Sequence, residues 1–202
     1  NNHFEKLFNL RLQVSENCGF DSYLPYIFKA KGRYDYTPKH CEDFHKAIEE
    51  VVVPKVKAIR LKRQKALRLS SLRPWDTACD PLGRQALKPF STSDELCEGV
   101  SQIFKEIDPK LSSWFDQMVS DKLLNLDSRL GKAPGGYQIG LEENRVPFVF
   151  MNSVGTMGDV FTLLHEAGHS FHQFLMQKHN LTSYRDINAE IAEVASMSME
   201  MI

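Results

Sequence analysis

The sequence predicts a mainly α-helical protein with one small antiparallel β element late in the chain. Three observations carry this. Apolar residues recur at helical spacing through most segments. Capping residues followed by Pro or an acid open several of those segments. One run, Val146 to Met151, is short, β-branched and aromatic, and reads as a strand.

In chain order, Phe4, Leu7, Phe8, Leu10 and Val14 mark a first helix of about four turns, with Cys18-Gly19 as its stop. A second short helix covers Tyr23 to Ala30. Thr37-Pro38 supplies an N-cap and a first-turn proline for a long amphipathic run to about Leu69, which Pro54 should kink or split. Arg73-Pro74-Trp75-Asp76 to Pro81-Leu82-Gly83 reads as a loop, and two further helices open at Ser93-Asp94 and Asp108-Pro109. After Leu126 the character changes. Lys132-Ala133-Pro134-Gly135-Gly136 is a turn, and the strand Val146 to Met151 carries Pro147, which suits the beginning of an edge strand. A loop over Asn152 to Gly158 leads to a helix from about Asp159 to Lys178. A last helix starts near Asp186 and is expected to run to the end of the chain. The expected division is a helical region over 1–125 and a core carrying the chemistry over 126–202.

Composition narrows the function. With 42% apolar and 25% charged residues the chain can bury a core, and 25 Lys plus Arg against 26 Asp plus Glu leave a net charge of -1. No global field would hold nucleic acid or anionic lipid. Lys55, Lys57, Arg60, Lys62, Arg63, Lys65 and Arg68 form a basic stretch without interleaved aromatics, read as a solvated helix face rather than a nucleic-acid surface. No run approaches the roughly 18 apolar residues of a membrane helix, and the start has no leader-like pattern, so a soluble, cytoplasmic protein is expected. Cys18, Cys41, Cys79 and Cys97 are scattered without a C-x-x-C pair and read as reduced thiols. A first residue other than Met and an ending within an apolar-periodic stretch suggest a piece of something longer.

The chemistry concentrates in Leu164-His165-Glu166-Ala167-Gly168-His169, an H-E-x-x-H pattern within an expected helix. Residues four apart stand one turn above each other, so His165 and His169 can direct ring nitrogens at one zinc ion, about 2.0 to 2.1 Å from each. Glu166, rotated by roughly 100° from His165, can touch an attacking water without ligating, which is where a general base belongs. The flanks Val160, Leu163, Leu164, Phe171, Phe174 and Leu175 are apolar, so this is a buried helix whose polar groups need partners. The longer metzincin pattern fails, because His172 and Leu175 stand where Gly and His would be needed. A third ligand should therefore come from a second helix, where Glu190 and Glu193 lie three apart on one face. One can ligate while the other orients a histidine, and spacing alone does not choose. His172 and Tyr137 are further candidates near the site, each also explicable by packing.

Gly155-Thr156-Met157-Gly158-Asp159-Val160-Phe161-Thr162-Leu163-Leu164-His165-Glu166-Ala167-Gly168-His169-Ser170-Phe171-His172, followed by Glu193-Val194-Ala195-Ser196, resembles the zinc core of the oligoendopeptidase F and thimet oligopeptidase family. Gly32-Arg33-Tyr34-Asp35-Tyr36-Thr37-Pro38, Leu72-Arg73-Pro74-Trp75-Asp76 and Lys132-Ala133-Pro134-Gly135-Gly136-Tyr137 are similar to its bacterial oligoendopeptidase F branch. The resemblance implies one zinc per chain on His165, His169 and Glu193, with Glu166 as catalytic base. It also implies a helical zincin-type metallopeptidase core around a channel that admits short peptides. Family members continue past the third ligand with substrate-binding His and Tyr residues, which have no counterpart within these 202 residues.

The function expected is thus a zinc metalloendopeptidase acting on short peptides, with no nucleic-acid or membrane partner. Two rivals remain: a zinc hydrolase of another small amide, and a helical binding or scaffold module with a structural or empty site. A structural zinc would be closed by four protein ligands, where three candidates stand here. The strand Val146 to Met151 is expected to be the edge on which an extended peptide adds backbone hydrogen bonds.

Overall fold

A computed structural model describes residues 2–202. They form two compact units that divide between Gln85 and Ala86. This division falls after Gln85, whereas the change in sequence character comes at Leu126.

The first unit is helical. α1 (Asn2–Asn17) meets α2 (Tyr23–Ala30), and α2 meets α3 (Pro38–Ala47). The turn after α1 is made by Gly19 at φ 76, a left-handed conformation that glycine adopts without strain. Thr37 caps α3 as expected. Its N–H donates to His40 Nδ1 at 3.1 Å, closing a capping box in which histidine takes the usual place of glutamate. Pro54 acts as expected, through a π-helical turn over Ile48–Val52 before α4 (Val53–Ala66). The Val53 N–H reaches back to the Ile48 carbonyl, five residues away. That wider turn makes room for a ring that would clash in a regular helix and has no N–H to give. Beyond α4, Arg63 donates to the carbonyls of Asp76 (3.4 Å) and Cys79 (2.5 Å) and fixes the following loop. Phe28 is buried against Tyr36, with ring centroids 5.5 Å apart.

The second unit contains most of the buried apolar side chains. α5 (Ser93–Ile107), capped by Thr92, and α6 (Pro109–Ser120), capped by Asp108, form a hairpin. Phe104 and Phe115 are fully buried in it with centroids 5.6 Å apart. Burying each contributes roughly 1.5–3 kcal/mol. Three strands follow: β1 (Leu124–Asp127), β2 (Tyr137–Leu141) and β3 (Val146–Ser153), in the order β1-β3-β2. β2 pairs antiparallel with β3, as expected for the small β element, and β1 adds a parallel partner on the other side.

β3 was expected at an edge and is instead the central strand. Pro147 is tolerated there because β1 engages β3 only from Val149 onward, leaving Pro147 a strand neighbour on one side alone. The Lys132 turn is fastened to the sheet. Its ammonium donates to the carbonyls of Asn125 (2.9 Å), Asp127 (2.8 Å) and Met151, while Asn152 donates to the carbonyls of Ala133 and Gly135. Burial, together with the nearby Arg129, lowers the Lys132 pKa from the usual lysine value.

α7 (Met157–Met176) packs on the sheet, and α8 (Ala189–Glu200) lies along α7, ending at Glu200 rather than continuing to the last residue. The start of α7 is tightly set. Asp159 Oδ2 accepts hydrogen bonds from the N–H groups of Val154 (3.0 Å) and Thr156 (2.8 Å) and from the Thr156 hydroxyl (2.9 Å). The link to α8 is tied to the β2–β3 hairpin by Arg185, which bonds Glu142 at 2.8 Å and the His179 carbonyl at 2.7 Å.

Candidate metal centre

His165, Glu166, His169 and His172 all lie on α7, while Glu190 and Glu193 lie on α8. One ring nitrogen from each of His165 and His169 and one carboxylate oxygen from Glu193 lie within 4.8 Å of one another. His165 Nε2 is 3.4 Å from Glu193 Oε2, and His169 Nε2 is 3.9 Å from Glu193 Oε1. Donors bound tetrahedrally to one zinc at ordinary lengths stand about 3.4 Å apart, so this nitrogen and oxygen set fits that ion. Glu190, in the first turn of α8, is not part of the trio.

The trio depends on a close helix crossing. A Cβ added at Gly168 would stand 2.6 Å from Ser196 Cα and 2.7 Å from the Ala195 carbonyl oxygen. Only glycine lets the α8 backbone come this near α7, and that approach brings Glu193 to the imidazoles. Ser196, fully buried at the contact, donates from Oγ to the Glu193 carbonyl and to its Oε2, both at 3.1 Å. The carboxylate is therefore held before anything binds to it.

Glu166 is buried beside the trio. Burial raises its pKa; His165 and a backbone hydrogen bond from Gln138 pull it back, and the Glu193 carboxylate pushes it further up. A raised pKa makes this carboxylate a stronger proton acceptor, which suits a base. Burial likewise lowers the pKa of His169, helped by neighbouring His165 and opposed by Glu193. The imidazole is thus kept in the neutral form that ligates metals.

The remaining candidates lie around this centre. His172 faces a mainly apolar groove of about 360 Å³ lined by Trp114, Phe171, Leu175 and Val194, where its Nδ1 is buried without a hydrogen-bond partner among the described residues. Burial lowers its pKa. Tyr137 is half-exposed on β2 and stacks on Phe150 of β3, centroids 5.0 Å apart, as a cross-strand pair. Sequence reasoning missed Glu200, whose Oε1 lies 2.6 Å from His165 Nδ1. Its spacing of seven from Glu193, two helical turns, was the available signal.

A helical scaffold thus gathers two imidazoles and a carboxylate about one point where they could hold a metal ion, with a second carboxylate buried beside them. The model of peptidase family M3 matches residues 1–202, and the chain belongs to that family. Oligoendopeptidase F of Lactococcus lactis subsp. cremoris (chromosomal form) is 30% identical over 142 residues, and Oligopeptidase PepF of Bacillus subtilis is 27% identical over 143 residues. Each alignment covers 69% of this chain but only 23% and 20% of those proteins, so the matched part spans about a quarter of their length or less. Among solved structures, PZ peptidase A with a bound inhibitor superposes with a TM-score of 0.91 at 29% identity, covering 98% of this chain and 35% of that one. The fold and the oligoendopeptidase likeness expected from the sequence are borne out.

Proposed function

We propose that this chain carries the zinc centre of an endopeptidase that hydrolyses short peptides. The observation that supports it most is the convergence of His165, His169 and Glu193 on one point with Glu166 buried beside them. The names of the relatives, oligoendopeptidase and oligopeptidase, favour short peptides over other amides. Bound zinc would polarise the scissile carbonyl and acidify the attacking water. Glu166 takes the proton from that water and passes it to the leaving amine, so one carboxylate serves as base and then as acid. Three protein donors leave a coordination position free, which favours a catalytic over a structural centre.

The peptide is better placed along β2 than along β3. β3 is paired on both sides, whereas β2 is an edge strand, and the Gln138 backbone on it meets Glu166. Backbone pairing of this kind reads main chain, and broad side-chain tolerance is the expected consequence.

Glu166→Gln tests the chemistry. The variant should retain zinc, measured by metal analysis, and lose 10² to 10⁴-fold in cleavage of a quenched fluorescent peptide. Near-normal turnover by the zinc-loaded variant would exclude Glu166 as base.

A further inference from the structure

The basic stretch of α4 does not lie wholly on an open face. Lys57 and Arg60 stand with Leu61 and Gln64 at the i, i+3, i+4, i+7 spacing of a single helix face. That face and the loop after α4, which brings Leu72 and Arg73, line a cleft of about 640 Å³. The charged side chains on its walls, Lys57, Arg60 and Arg73, are all cations. None of them makes an ion pair among the described residues. The acids of the loop are engaged elsewhere: Asp76 Oδ2 accepts from the Arg73 N–H at 2.7 Å, and Asp80 Oδ2 from Arg84 Nε at 2.6 Å.

Two adjacent side chains fix the shape of this cleft. Gln64 Nε2 donates to the carbonyls of Leu69 (3.2 Å) and Ser70 (2.8 Å), where the chain leaves the helix through Arg68 at φ 55. Arg63 fastens the far end of the loop through the Asp76 and Cys79 carbonyls. Both ends of the loop are therefore tied to α4, and Arg73 is carried to the same cleft as Lys57 and Arg60 before any ligand arrives. Like charges gathered this way repel one another, a cost that an anion between them would offset. The Arg73 guanidinium also lies 5.5 Å from the centroid of the exposed Trp75 ring, a contact that uses its charge and not its N–H donors.

The geometry points to a binding site in this cleft for a small anion with two linked phosphoryl groups, free or carried on a small organic body. A phosphate monoester carries only about 1.5 to 2 negative charges at pH 7, so a single phosphoryl group would leave one of the three cations without a counter-charge. Arg60 and Arg73 offer planar forks of donors that match phosphate oxygens, and Lys57 adds a point charge. Leu61 and Leu72 supply an apolar wall for an organic body. A nucleic acid fits less well, because the cations come to one cleft from two elements instead of forming a track, and the chain as a whole has a net charge of -1. The site lies within the first unit and does not depend on the zinc reading.

The test is isothermal titration calorimetry of the full chain at physiological salt, freed of metal so that pyrophosphate meets no bound ion. Pyrophosphate, ADP, inorganic phosphate and a short RNA are titrated into wild type, Arg60→Gln, Arg73→Gln and Lys57→Gln, with folding checked by circular dichroism. Lys55→Gln and Lys65→Gln, which remove cations of α4 that do not line the cleft, are the controls. Wild type should bind one pyrophosphate, and inorganic phosphate at least about tenfold more weakly. Each substitution in the cleft should weaken pyrophosphate by about 10 to 100-fold, the worth of a charged hydrogen bond, while the controls stay within about twofold. ADP binding more tightly than pyrophosphate would support the site and assign it to a diphosphate on an organic body; equal affinities would support it as a site for the diphosphate alone. Absence of pyrophosphate and ADP binding at millimolar concentration, with or without RNA binding, would overturn the inference. So would a pyrophosphate affinity that falls equally in the controls and in the cleft variants, which would mean general charge attraction and no site.

Discussion

Glu190 and Glu193 are chemically identical and one helical turn apart, yet it is Glu193 that joins the two imidazoles in the trio and is held by the buried Ser196 hydroxyl. Replacing Glu193 by Ala should abolish measurable zinc binding under conditions where Glu190→Ala changes it only a few-fold. The reverse pattern in a chelator competition would sink the ligand assignment. Cys97 gives a second prediction from its surroundings. Burial and the carboxylates of Asp94, Asp127 and Glu98 push its thiol up to about 11, so at pH 8 it is overwhelmingly protonated and a poor nucleophile. Iodoacetamide at pH 8 should modify the exposed Cys18 and Cys79 well before Cys97. The Cys97 rate should keep climbing as pH rises towards 11. Peptide mapping of the alkylated protein checks both points; early modification of Cys97 would show that it is not shielded.

Among the elements, the contact at Gly168 matters most, because it sets the distance between the two helices that share the site. Gly168→Ala inserts a methyl group against the α8 backbone, which cannot rotate aside as a side chain would. Overpacking of this kind costs about 1–3 kcal/mol. Moving α8 outward should also weaken zinc binding at least tenfold. Gly99→Ala on α5 is the control: its added Cβ meets nothing within 4 Å, and it should stabilise the protein by about 0.4–1 kcal/mol. Urea denaturation and chelator competition on both variants separate the outcomes, and equal zinc affinity in Gly168→Ala would mean that helix spacing does not control the site.

The same elements mark how far the sequence could be read. Helices were legible because caps and prolines act locally: Thr37, Asp108 and Pro54 each do what their chemistry predicts. β2 was not legible, since its apolar residues Tyr137, Ile139 and Leu141 face outward, while Gly140 approaches the Gln173 side chain and Gln138 donates to it. Hydrophobic alternation would have assigned its faces the wrong way round. β1 has four residues, too few for a period, and its parallel pairing is a long-range fact. The His pair and Glu166 follow from spacing within one helix. Glu200 lies among the methionines of α8, and only the crossing with α7 reveals its partner.

At the scale of the whole molecule, the two units are unequal in what holds them. Phe28 is the only buried apolar side chain among the described residues up to Gln85, whereas Leu96, Phe104, Phe115, Met118, Val149, Met151 and Leu163 belong to a continuous core beyond it. α1 illustrates the difference, with Phe4, Leu7, Phe8 and Leu10 all exposed. Stability follows buried apolar area, and segments with little of it open first. Heating should therefore give two transitions instead of one, and limited proteolysis should cut within residues 2–85 before the rest. Every group assigned to the metal centre, from His165 to Glu200, lies in Ala86–Ile202. The protease-resistant piece beginning near residue 86 should then bind zinc with an affinity within about threefold of the whole chain, a difference under 1 kcal/mol. Mass spectrometry of the resistant fragment and the same chelator titration decide it. A resistant fragment drawn from residues 2–85, or a fragment from 86 onward that has lost zinc binding, would show that the first unit contributes what the packing of its side chains does not suggest.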